Sequence, residues 1–120
     1  YEYHPNTLTD NCDSAVQTLR SVARDNLHLY WQPNSRLSQA ENLHALRTVQ
    51  PYLYHVHVFY LDSVYNRFPL AEGASIWQEY LDIIRQDGKT RSLMLEFVKD
   101  DSFEQMAQDA AALRALVREA

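Results

Sequence analysis

Tyr54-His55-Val56-His57-Val58-Phe59-Tyr60 is the stretch on which the fold turns. Apart from two histidines it is entirely aromatic or β-branched, the composition of a strand. Successive strand side chains point to opposite faces. Tyr54, Val56, Val58 and Tyr60 therefore share one side, and His55, His57 and Phe59 the other. One face suits the burial of helices, while the other turns two imidazoles inward.

Three further segments carry the same division. In Leu93–Val98, Leu93, Leu95 and Phe97 oppose Met94, Glu96 and Val98. In Leu27–Gln32, Leu27, Leu29 and Trp31 oppose His28, Tyr30 and Gln32. In Tyr1–His4, Tyr1 and Tyr3 oppose Glu2 and His4. Each segment precedes a helical pattern. Cys12, Val16, Leu19 and Val22 recur near helical spacing after the first. Ser38-Gln39-Ala40-Glu41 reads as a capping box opening a helix with Leu43, Leu46 and Val49 on its buried stripe, ended by Pro51. The long loop Leu61–Gly73 leads to a helix with Ile76, Trp77, Tyr80, Leu81 and Ile84 on one side, for which Gly88 is the expected stop. Ser102 and Gln105 form a second capping box. Phe103, Met106, Ala107, Ala110, Leu113, Leu116 and Val117 then make the cleanest amphipathic stripe in the chain.

The 120 residues are 46% hydrophobic and 22% charged, a globular composition sized for a single domain. Two glycines and four prolines are too few for an all-β fold of tight turns. A net charge of -5 without a basic cluster argues against nucleic acid and against anionic membranes as partners. The single cysteine, Cys12, excludes an internal disulfide and a multi-cysteine zinc site. With no signal-peptide pattern and no apolar run long enough to span a bilayer, a cytoplasmic location is expected. The chain opens on Tyr1 already in strand, so residues 1–120 are expected to be one partial domain cut from something longer.

Strands alternating with helices imply βαβ units and a parallel sheet. Four such units make either a small open sheet or half of a (β/α)8 barrel. The inward set Glu2, His4, His28, Tyr30, Gln32, His55, His57 and Glu96 decides between them. A doubly wound sheet wants both faces apolar, whereas a barrel interior near its C-terminal mouth tolerates ionisable groups. The expected fold is therefore α/β, four parallel strand-helix units forming the C-terminal half of a TIM barrel. Glutamate is rarely buried without a partner. Two inward glutamates near inward histidines point either to a divalent cation or to a buried hydrogen-bond network.

The segments Asn26–Asn34, His55–Phe59 and Arg67–Gly73, followed by Trp77 and Tyr80-Leu81 and closing on Leu95-Glu96-Phe97, resemble the xylose-isomerase-like TIM barrels. More narrowly they resemble the sugar phosphate isomerase/epimerase group, over its C-terminal half. The resemblance implies a divalent ion (Mn, Mg, Co or Zn) held by Glu2, His57 and Glu96, with Gln32 where the family usually has an acid. It implies proton transfer between adjacent sugar carbons through an enediolate, with Glu96 the leading base and Glu2 its counterpart. Arg67 is implied to touch a substrate oxygen, and His55 and Asn34 are further candidates for substrate contact. The expected partners are a small-molecule sugar and either the missing N-terminal barrel half or a second copy, to close the open sheet edges. The rival reading is a non-catalytic, barrel-derived binding or structural domain whose metal site has decayed at Gln32.

Overall fold

The computed structural model describes residues 1–119. Strands β1 (Leu29–Trp31), β2 (Leu53–Val58) and β3 (Ser92–Leu95) form one sheet in the order β1-β2-β3, with both pairs parallel. Helix α1 (Cys12–Val22) precedes β1, and α2 (Gln39–Val49), α3 (Ala74–Ile84) and α4 (Phe103–Glu119) follow the three strands in turn. Leu29, Trp31, Leu53, Val56 and Val58 point from the sheet into the core. There they meet Val16 and Leu19 of α1, Leu46 and Val49 of α2, and Trp77, Leu81 and Ile84 of α3. The other face carries Tyr30, which is exposed, and His55 and His57, which are half-buried.

The four-unit half-barrel is overturned by this sheet, which has three strands among the described residues. Tyr1–His4 meets it only through an isolated parallel bridge between Glu2 and Tyr30. Tyr3 N donates to Tyr30 O (2.8 Å) and Tyr30 N to Tyr1 O (2.7 Å). Local chemistry keeps that contact from growing into a strand. Pro5 has no N–H to offer a ladder, and Asn6 turns left-handed at φ 63. Thr9 Oγ1 donates to Glu2 O (2.6 Å) and Thr7 Oγ1 to His4 O (2.8 Å), so side chains occupy the acceptors on the edge that faces away from β1.

Side-chain parity also fails at two places. Pairing passes from Leu29–Leu53 to Tyr30–His55, which leaves Tyr54 as an extra residue in β2. Leu53 takes the core position expected for Tyr54, and the exposed Tyr54 stacks on His28 with ring centroids 4.7 Å apart. At the other end of the sheet, β3 stops at Leu95, and Phe97 turns left-handed at φ 51. Its ring is consequently exposed rather than packed under helices, and it meets the buried Phe59 edge-on at 5.2 Å.

The Ser38 capping box forms in full, with Glu41 N donating to Ser38 Oγ and Ser38 N to Glu41 Oε2. Only half of the second box forms. Gln105 N donates to Ser102 Oγ, but the Gln105 carboxamide turns to Asp109, whose buried carboxylate also accepts from Leu70 N. That bond rotates α4 so that Asp109, Leu113 and Leu116 face inward. Phe103, Met106 and Val117 of the expected stripe are exposed. Helix α3 ends at Ile84, and Gly88, at φ 68, closes the turn after it. Gly73, just before α3, has no room for a side chain, because a Cβ would lie 2.7 Å from the Tyr60 ring.

Candidate metal centre

Four segments converge at the C-terminal end of the sheet. Gln32 is the residue after β1, His57 is the penultimate residue of β2, and Glu96 follows β3. Glu2 arrives beside β1 through its bridge to Tyr30. Alternation along β2 puts His57 on the face away from the helices, since Val56 and Val58 are buried beneath them. Glu96 is held by its own backbone, whose N–H donates to Val58 O (3.0 Å) and so continues the ladder one residue past β3.

His57 Nδ1 is the centre of the arrangement. It lies 3.1 Å from Gln32 Oε1, 3.3 Å from Glu2 Oε1 and 3.3 Å from Glu96 Oε2. One ligating atom each from Glu2, His57 and Glu96 can be chosen so that all lie within 4.8 Å of one another. Gln32 is buried, and the other three side chains are partly exposed, so the cluster is anchored below and open above. Tyr30 sets its ring edge-on to both His55 and His57, at 5.6 Å in each case, which restrains the imidazoles from the side.

Burial raises the Glu96 carboxyl above its ordinary range. The neighbouring Glu2 charge adds to that effect, while His57 and His4 work against it. Glu96 Oε2 is buried and makes no hydrogen bond of good geometry. A buried carboxylate oxygen without a donor, beside a second carboxylate, is a poor site for water and a good one for a cation. Two carboxylates, an imidazole nitrogen and an amide oxygen also form a donor set that first-row divalent ions accept. The residues present therefore fit such an ion.

The other expected site residues lie elsewhere. His55 Nδ1 accepts from Ser92 N (3.2 Å), so this imidazole is tied to the start of β3 rather than to the cluster. Asn34 shapes the turn after β1: its Oδ1 accepts from Arg36 N, and its backbone N–H donates to Asn42 Oδ1. With Pro33, Ser35, Trp77 and Tyr80 it lines a cavity of about 110 Å³ between the strand ends and helices α2 and α3. Arg67 Nη1 donates to Val98 O (3.2 Å) and to Asp101 Oδ1 (2.5 Å), in the turn after β3. Alternation placed Tyr30 on the correct face, but its packing against both imidazoles depends on the register across strands. The left-handed backbone at Phe97 itself left no sign in the sequence, for the position holds neither glycine nor asparagine.

No family model matches the chain, and no curated protein matches it. Among the described residues no helix is long and apolar enough to cross a membrane.

Proposed function

We propose that this chain contributes a divalent-metal site to a sugar or sugar phosphate isomerase or epimerase. The observation that supports it is the meeting of Glu2, Gln32, His57 and Glu96, from four separate segments, around His57 Nδ1. Glu2, His57 and Glu96 would hold the ion, with Gln32 Oε1 as a neutral fourth donor. When bound, the ion supplies positive charge against the oxyanion that develops as a proton leaves a carbon next to a carbonyl. Glu96 serves as the base. One of its oxygens faces His57, leaving the other to take the proton. Glu2, more exposed, starts protonated and gives its proton to the neighbouring carbon, after which the proton held by Glu96 passes back to Glu2 and restores the pair. Tyr30 and Gln32 keep the His57 ring in place while the acids exchange protons.

The alternative is a non-catalytic domain in which Gln32 simply hydrogen-bonds His57, a contact already made at 3.1 Å. Calorimetric titration with Mn²⁺ separates the two readings. The metal reading expects saturable binding by the parent, at least tenfold weaker binding in Glu96→Gln, and unchanged binding in His28→Ala. Absence of binding by the parent protein would turn the assignment to the non-catalytic domain.

A further inference from the structure

The turn that follows Glu96 holds three left-handed residues, none of them glycine: Phe97 (φ 51), Asp100 (φ 58) and Asp101 (φ 50). For a bulky aromatic residue that conformation is sterically costly and persists only where surrounding contacts impose it. Arg67 provides such contacts. Its Nη1 donates to Val98 O (3.2 Å) and to Asp101 Oδ1 (2.5 Å), and its guanidinium carbon lies 5.5 Å from the centre of the Phe97 ring. One side chain thus touches the beginning, the middle and the end of the turn.

Arg67 is itself fixed. It pairs with Leu61 in an antiparallel bridge, and the next residue, Phe68, donates its N–H to Tyr60 O (3.0 Å). Between them Asp62 closes the loop by accepting from Val64 N and Asn66 N. The exit from β2 is thereby bolted to the exit from β3. Glu96 sits between two restraints: the ladder bond to Val58 on one side and the clamped turn on the other.

We infer that Arg67 is a positioning residue, which keeps the Glu96 carboxylate beside His57 and Glu2 by holding Phe97–Asp101 in its left-handed turn. The inference rests on the metal reading of the cluster, although the clamp can be observed without an ion. It also gives the arginine work that requires no contact with substrate. A lysine is a poor replacement, since in arginine Nη1 makes both bonds while the guanidinium carbon sits over the Phe97 ring, and an ammonium has only one nitrogen for both tasks.

The test combines Mn²⁺ titration with amide NMR of the ion-free protein. Arg67→Gln and Arg67→Lys should each bind Mn²⁺ about tenfold more weakly than the parent. Both should change the Phe97 HN–Hα coupling and the Glu96 amide shift, with little change in Tm. Phe97→Gly, which tolerates positive φ, should restore part of the lost affinity when added to Arg67→Gln. Parent-like affinity in Arg67→Gln with unchanged Phe97 and Glu96 signals would overturn the inference, and so would the absence of rescue by glycine. If the parent binds no Mn²⁺ while Arg67→Gln still moves those two signals, the metal reading falls and the clamp stands.

Discussion

His57 Nδ1 lies closer to the Gln32 amide oxygen, at 3.1 Å, than to either carboxylate, at 3.3 Å. All three neighbours are acceptors, so in the ion-free protein Nδ1 carries hydrogen and donates it to Gln32. A cation bound at Nδ1 must displace that hydrogen. Imidazole ¹⁵N NMR should therefore show His57 protonated at Nδ1 without metal. Adding Zn²⁺ should move the signal to that of a metal-bound Nδ1. An ion-free His57 with hydrogen only on Nε2 would contradict the hydrogen-bond assignment.

Gln32→Asp adds a third carboxylate where a neutral amide now stands. Without metal it should lower Tm, because like charges crowd a partly buried site. With Mn²⁺ it should tighten binding by about tenfold, a difference of roughly 1.4 kcal/mol. Equal affinity in parent and variant would show that Gln32 lies outside the coordination shell.

The raised Glu96 carboxyl gives the ion-free protein a distinct pH response. An unfolded glutamate titrates at about pH 4.3. The folded state holds the proton more tightly, so the stabilisation is complete below that pH and is lost as pH rises through the folded-state value. Denaturant melts between pH 4 and pH 8 should show this loss, and Glu96→Gln should flatten it. The same slope in the variant would assign the effect to another group.

Asp87 works in the opposite sense. Arg91, its side chain only 2% exposed, donates to both carboxylate oxygens (2.7 and 2.6 Å) and also to Ile84 O and Leu53 O. The paired guanidinium holds the Asp87 carboxyl well below its usual range. Its contribution is therefore present above about pH 3.9 and lost as acid drives the pH down towards the folded-state value. Asp87→Asn should cost about 1.5–3 kcal/mol at neutral pH, the worth of hydrogen bonds to a charged group. A neutral effect in urea melts would show that the two backbone carbonyls alone satisfy Arg91.

Phe103 is 85% exposed on α4, and β3 ends the sheet with no strand on its outer side among the described residues. Unpaired edges and exposed apolar flanks favour association. Light scattering coupled to size exclusion should give a mass above the 14.0 kDa of one chain. Phe103→Glu should shift it downward. A cooperative monomer at high concentration would show that this edge is tolerated in water.

Much of the candidate site was legible because strand alternation is a local rule. Period-two reading put Glu2, Gln32, His57 and Glu96 on the non-helix face without any knowledge of what they touch, and the structure brings these four together. The capping box at Ser38 was legible for the same reason, since both of its partners lie within one turn. Tertiary structure decided whatever depended on competition between distant partners. Tyr1–His4 reaches β1 through a single bridge, while Thr7 and Thr9, brought back by the turn at Asn6, capture the carbonyls on its far edge. The displacement of Tyr54 came from the pairing of β2 with β1, and the rotation of α4 from Asp109 bonding Leu70 N. Arg67 reached the turn after Glu96 only once two loops had been folded side by side. Side-chain period follows from the geometry of one strand, whereas register and clamping follow from hydrogen-bond partners that only the assembled chain brings within reach.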